Sequence, residues 1–199
     1  MERRPEEIAQ LQARAHEALE HLGLLEPRAP VQHLHQLLRL WHDPAFGTPT
    51  AWAVFEHVPL PSDPAGHRLP TWMAVREATW DRPHDLGRFA DPLQGVREGF
   101  SAPPTIRVRD GRIAQRSVTS WLREVRQLPI AILGLRGPVG LDGESWGIEV
   151  GDADAFLQVR LQWRGAGPRQ WVPVTQAIAR LHTLLAGAVA QNNGRRRGP

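Results

Sequence analysis

A Gly-x-Ser-x-Gly motif at residues 143–147 is the first pattern in this sequence that could perform catalysis. His182 follows the motif, with acidic residues between them, which is the chain order of an α/β-hydrolase triad. That triad needs a strand before the serine and a helix directly after it. Here Ile148–Val150 continues the motif with strand-like alternation. The sequence therefore predicts a turn that leads into a strand, and it assigns no catalytic role to Ser145.

Two further patterns could bind ions. Glycine recurs at every third position in residues 134–143, but a phosphate-binding loop needs a helix after it, and a strand is predicted there. Asp81, His84 and Asp85 could offer ligands to a cation, although no further ligand is identifiable. We therefore predict no metal and no cofactor, and leave open whether these three residues bind a cation.

The composition excludes several classes of function. The chain has no cysteine, so a disulfide, a thiolate metal site and a cysteine nucleophile are impossible. It has no lysine either, which excludes a lysine-based P-loop and a Schiff base. No apolar run approaches the roughly 18 residues that would span a bilayer, and the charged N-terminus lacks the apolar core of a signal peptide. We expect a cytoplasmic protein with no membrane partner.

All 24 basic residues are arginine, and they are unevenly distributed. Residues 1–100 contain 10 arginines against 14 acidic residues, whereas residues 101–199 contain 14 arginines against 7. Such asymmetry favours a polarised surface and an acidic partner for the basic half.

The best candidate site in the sequence is a basic hairpin. Ile106–Arg109 and Arg112–Gln115 flank Asp110-Gly111, a dipeptide favoured in type I′ turns. This hairpin would place Arg109 opposite Arg112, and like charges in that arrangement are destabilising. The residues predicted to bind an anion or an acidic partner are Arg107, Arg109, Arg112, Arg116, Arg123 and Arg126. Carboxylates of the acidic N-terminal half could neutralise them instead, and this alternative stays open.

Eight tryptophans offer a second kind of contact. Most lie in predicted helices or strands, where large aromatic side chains build the core. Trp80 and Trp171 lie beside proline-containing loops, so these two are the candidates for exposed recognition residues, with a place in the core as the alternative.

The order of predicted elements indicates an α+β fold with N-terminal helices, a mainly antiparallel β-sheet and a C-terminal helix packed on the sheet. We expect a single domain at residues 1–191, whose helical N-terminal part is 5–42, and a disordered arginine-rich tail at 192–199. The predicted helices are 5–22, 30–43, 118–127 and one from Pro173, with a loop and a short helix in 80–99; the strands are 51–58, 71–78, 129–133, 146–150 and 156–163, besides the hairpin.

The last third of the chain resembles small uncharacterised bacterial proteins. The resemblance covers about residues 129–190 and rests on a Gly-Leu-Asp-Gly-x-Ser-aromatic turn at 140–146, a strand ending in Trp163, and a Gly-x-Gly-Pro-x-x-Trp-x-Pro element at 165–173. Some of those proteins look like toxin-immunity or accessory proteins. The resemblance implies a strand–strand–helix order and non-enzymatic binding, and it supplies no catalytic residue.

Two functional hypotheses follow, and an enzyme of unrecognised type stays open beside them. The first is a non-enzymatic binding or accessory protein, of an immunity-like kind, that docks to a protein partner. The second is a nucleic-acid-binding protein that uses the basic hairpin and the Arg195–Arg197 tail. The sequence specifies neither the oligomeric state nor the identity of a partner.

Overall fold

An antiparallel sheet with helices on both faces forms the fold. The computed structural model describes residues 5–24, 34–45, 47–57, 71–90, 103–128, 144–152 and 157–195. The elements in these ranges are α1 (Pro5–Leu24), β1 (Leu34–Asp43), β2 (Thr50–His57), β3 (Trp72–Trp80), α2 (Arg82–Ala90), β4 (Ile106–Ala114), α3 (Gln115–Val125), β5 (Ser145–Asp152), β6 (Leu157–Arg164), a 3-10 turn (Arg169–Trp171) and α4 (Val172–Arg195). The predicted α+β class is confirmed. In the described ranges, no helix is long and apolar enough to cross a membrane.

The six strands in the described ranges pair in the order β4-β3-β2-β1-β5-β6, and each neighbouring pair is antiparallel. β1 lies at the centre. Its Leu40 is paired with Trp52 of β2 on one side and with Ile148 of β5 on the other. β1 therefore joins β2–β4 to β5–β6.

Strand alternation sends side chains to two separate apolar layers. On one face, α3 and α4 cover Leu38 and Leu40 of β1 together with Trp52 and Ile148, which form the main core. On the other face, α1 covers a smaller cluster, in which its Leu11, Ala15 and Leu19 pack with Ala51, Ala78 and Trp80.

β1 replaces a predicted helix, so the expectation of a second N-terminal helix within 30–43 is wrong. Leu34, Leu37, Leu38 and Trp41 fit helical spacing, which led to that prediction. A central strand covered on both faces is apolar on both faces, and it loses the period of two that marks a half-buried strand. A register shift between Gln36 and Leu38 obscures the alternation further.

The predicted hairpin at Asp110-Gly111 is also wrong, because β4 runs without a turn from Ile106 to Ala114 along β3. Gly111 instead allows α4 to approach the strand closely. A Cβ atom at this position would lie 2.7 Å from the carbonyl oxygen of Ala188, so the missing side chain lets α4 cross the strand closely. Asn192 of α4 donates to the carbonyl of Asp110 at 2.9 Å, which fixes the same crossing.

The other predicted elements in the described ranges are confirmed with small changes of boundary: α1, β2, β3, α3, the β5–β6 pair and α4. α2 is the short helix expected within 80–99. α4 continues through Arg195, although we predicted the tail to begin at Asn192. The predicted strand 129–133, the glycine-rich segment 134–143 and residues 196–199 lie outside the described residues.

The close crossing at Gly111 generates a prediction about stability. Gly111→Ala should lower the free energy of unfolding by about 1–3 kcal/mol, because the new methyl group meets backbone atoms of α4 that cannot rotate away. Gly187→Ala, one residue before the contact on α4, should raise it by up to about 1 kcal/mol, because nothing lies within 4 Å of the added atom and alanine favours helix. Urea unfolding followed by circular dichroism measures both. Equal effects of the two substitutions would contradict the close approach.

Candidate functional site

The Gly-x-Ser-x-Gly motif does not assemble a triad. Ser145 begins β5 and lines a cavity on the α1 face of the sheet. The next residue, Trp146, points to the opposite face, where its ring centre lies 5.5 Å from that of His182 on α4. Ser145 and His182 are therefore separated by the sheet. The last glycine of the motif, Gly147, leaves room for the ring of Trp41, which would clash with any Cβ atom there.

The carboxylates of Asp81 and Asp85, which follow β3, already accept hydrogen bonds from donors in the protein. Asp85 is buried and accepts hydrogen bonds of 2.7 Å from Trp80 Nε1 and from the backbone N–H of Thr105. Burial alone would raise the pKa of Asp85, but the bonds from Thr105 and Trp80 and the charge of Arg88 outweigh it and lower the pKa. Asp81 accepts from Arg107. Among the described residues, no group of three His, Asp or Glu side chains is placed to hold a metal ion.

The two tryptophans predicted to be exposed are buried. Trp80 is fully buried beneath α1 and donates its indole N–H to Asp85. Trp171 is only 6% exposed and packs edge-to-face against Trp163, with ring centres 6.3 Å apart. The prediction that they are recognition residues is wrong, because the adjacent proline-containing segments do not leave these rings on the surface.

The arginines of β4 have partners within the chain. Since β4 pairs with β3, Arg109 lies opposite Glu77 and not opposite Arg112. Arg109 Nε donates to Glu77 Oε1 at 2.8 Å, and Arg107 pairs with Asp81. Arg112 stacks on a tryptophan, with its Cζ 4.1 Å from the ring centre of Trp72. The predicted repulsion between Arg109 and Arg112 is thus absent. Carboxylates of the same chain neutralise Arg107 and Arg109.

Of the remaining three predicted arginines, Arg116 and Arg123 lie on α3, and Arg126 is the C-cap residue of that helix. We define the basic face of α3 as Arg116, Arg123 and Arg126, which are all exposed. Arg116 and Arg123 are seven residues apart, so they lie on the same side of the helix about 10 Å from each other. Within the described part of the chain, neither has a carboxylate partner. Arg126 makes a further contact of its own.

The beginning of α3 is unusually positive. Its first turn contains Arg116 and no acidic residue, and Ala114 at the N-cap offers no side-chain hydrogen bond. A helix N-terminus already has a partial positive charge, and a cation there costs about 0.3–1 kcal/mol where an acidic residue would be stabilising. Arg116 and the N-terminus of α3 therefore place their positive charges together at an exposed helix end.

A polar cavity of about 190 Å³ lies between α1 and the strands β1, β5 and β6. Arg39, Trp41, Arg160 and Glu20 are among the residues that line it. The sequence analysis missed this site because its residues come from elements far apart in the chain. One indication was present: Arg39 is the lone charge within the apolar stretch Leu37–Trp41.

An aromatic cluster surrounds His182 on the α4 face. Its ring lies edge-on to Trp52 and Trp146, at centroid distances of 4.7 Å and 5.5 Å, and His42 stacks on Trp146 at 3.9 Å. Burial lowers the pKa of His182, and the positive charge of a protonated His42 adds to this, while the carboxylate of Glu77 opposes it. The cluster is arranged to pack a neutral imidazole.

The lowered pKa values predict that stability decreases in mild acid. Burial lowers the pKa of both His182 and His57 below the ordinary 6.5, so between about pH 7 and 5 the unfolded chain takes up protons that the folded chain resists. The free energy of unfolding should therefore fall over this range. The substitution His182→Asn should make the pH dependence of the free energy of unfolding shallower. The lowered pKa values of Asp43 and Asp85 act mainly below pH 3.8, outside this window. Urea titrations at several pH values measure the slope; an unchanged slope in His182→Asn would contradict the prediction.

Comparisons with known proteins assign no role to these residues. The chain matches no family model, and searches of curated proteins and of solved structures found no match. The resemblance to small bacterial proteins stays a prediction. Two features of the described structure therefore bear on function: the positive N-terminal end of α3 with its exposed arginines, and the polar cavity under α1.

Proposed function

We propose that this protein acts by binding, and that the basic face of α3 docks an acidic protein partner. The observation that carries the proposal is Arg116: an exposed cation at the positive end of a helix, with no carboxylate partner among the described residues. A carboxylate of a partner placed there would interact favourably with both the guanidinium and the helix end. An accessory, immunity-like role would use such a surface.

The scaffold beneath this face is rigid, which favours docking. The opposite side of α3 inserts Val118, Trp121 and Leu122 into the main core. Trp121 Nε1 also donates to the carbonyl oxygen of Ala177 on α4 at 2.7 Å. The arginines therefore project from a fixed backbone, and less conformational entropy is lost when a partner binds.

Neighbouring charges favour an acidic protein segment over a nucleic acid. The β4 arginines that a phosphate backbone would have needed are engaged by Asp81, by Glu77 and by the ring of Trp72. On α3, Glu124 pairs with Arg180 of α4 and leaves a narrow positive strip. Such a strip matches a few carboxylates better than the long, uniform charge of a duplex.

Charge reversal tests this surface. Arg116→Glu combined with Arg123→Glu should abolish recovery of an acidic partner in native pull-downs analysed by mass spectrometry, and weaken its measured affinity at least tenfold. The matched control is Arg164→Glu combined with Arg169→Glu, which changes the net charge equally at exposed positions outside α3. The control should bind like the unmodified protein.

Two results would overturn the proposal. One is recovery of the same partner by both double variants, since the basic face of α3 would then not be the contact. The other is a mobility shift of duplex DNA at about 50 mM salt that only the α3 variant loses, which would assign the face to nucleic acid.

A further inference from the structure

The cavity beneath α1 is lined by a buried guanidinium. Arg39 of β1 is only 6% exposed. Its Nη1 donates to Glu20 Oε1 of α1 at 3.1 Å, but its Nε has no acceptor among the described residues. Burying an N–H group without an acceptor costs free energy, so Arg39 depends on an acceptor at Nη1, the nitrogen that Glu20 contacts.

A second guanidinium reaches the same place. Arg160 of β6 has its Nη1 3.6 Å from the same oxygen of Glu20. The guanidinium carbons of Arg39 and Arg160 lie 5.3 Å and 5.0 Å from the ring centre of Trp41. Two guanidinium groups therefore share one carboxylate oxygen and one aromatic ring.

The other groups around the cavity are consistent with a small polar ligand. Ser145 and Gln162 line it from β5 and β6 and can each form hydrogen bonds. Asp43, a further carboxylate in the lining, is already paired with Arg82 and with His16. It therefore adds little repulsion toward an incoming anion.

We propose that the cavity binds a small organic monocarboxylate. The ligand carboxylate takes the position of the Glu20 oxygen and accepts hydrogen bonds from Arg39 Nη1 and Arg160 Nη1, and its apolar part lies against Trp41. It displaces the side chain of Glu20, which is 45% exposed and can turn into solvent without moving α1. Glu20 thus occupies the site when the ligand is absent.

Charge and size select this class of ligand. Glu149 lies between Arg39 and Arg160 in the strand register and makes a contact of its own. Once Glu20 has turned away, one ligand charge together with Glu149 balances the two guanidinium groups, whereas a phosphate dianion leaves excess negative charge. A volume of about 190 Å³ is below that of common drug-sized pockets, which suits a small acid.

Isothermal titration calorimetry of the full chain with butyrate, benzoate and inorganic phosphate tests the site. Butyrate or benzoate should bind the unmodified protein, and phosphate should bind at least tenfold more weakly. Arg160→Gln should weaken carboxylate binding about tenfold, and its position at the surface keeps the fold intact. Glu20→Gln should tighten binding severalfold, because the competing carboxylate is removed. Arg164→Gln, an exposed arginine farther along β6, should leave the affinity unchanged.

Three outcomes would overturn the proposal. If neither carboxylate binds the unmodified protein or Glu20→Gln at about 10 mM, the cavity holds water only. If phosphate binds as well as the carboxylates, the ligand class is wrong. If Arg164→Gln weakens binding as much as Arg160→Gln, the effect comes from general surface charge.

Discussion

Both halves of the sheet and both of its faces depend on the pairing of β1. This strand hydrogen-bonds to β2 and to β5, and in the described sheet it alone connects the two halves. Its alternation sends Leu38 and Leu40 under α4, and Arg39 and Trp41 under α1. The middle of β1, Leu38–Leu40, is buried on both faces, so Arg39 is a buried charge. The partner that α1 supplies, Glu20, and the polar cavity around it follow from this one requirement.

The sequence predicted the elements that are buried on one face and solvated on the other. β6 alternates because one of its faces is solvated, and α3 shows helical spacing because its outer side is polar. β1 could not be predicted, because burial on both faces removes the period of two. The prediction for β4 was wrong for another reason. Asp110-Gly111 favours a turn locally, but Asp110 forms an ion pair with Arg76, and α4 crosses the strand at Gly111. Contacts distant in sequence determined both strands.

The candidate site was predictable only in part. The arginine-rich half and the option of internal neutralisation follow from composition, but which arginines are neutralised depends on strand register. Arg109 meets Glu77 because β4 lies in one register along β3, whereas Arg116 lies beyond the end of β4 in the first turn of α3 and meets no carboxylate in the described ranges. The absence of lysine adds a consequence of its own. Guanidinium groups also stack on rings, as Arg112 does on Trp72, so part of the positive charge is held by aromatic faces.

The two candidate sites lie on opposite faces of the sheet and share no residue. The basic face of α3 belongs to the layer formed with α4, whereas the cavity lies in the layer formed with α1. Coupling between two sites requires a common element with two arrangements that each ligand favours differently. The strands contribute side chains to both layers, but the central strand β1 is held in one register by its pairing with β2 and β5. Displacing Glu20 moves a side chain at the edge of the cavity and leaves that pairing intact. The geometry therefore makes the two proposed sites independent of each other: an exposed charged surface on α3, and a partly open polar cavity beneath α1.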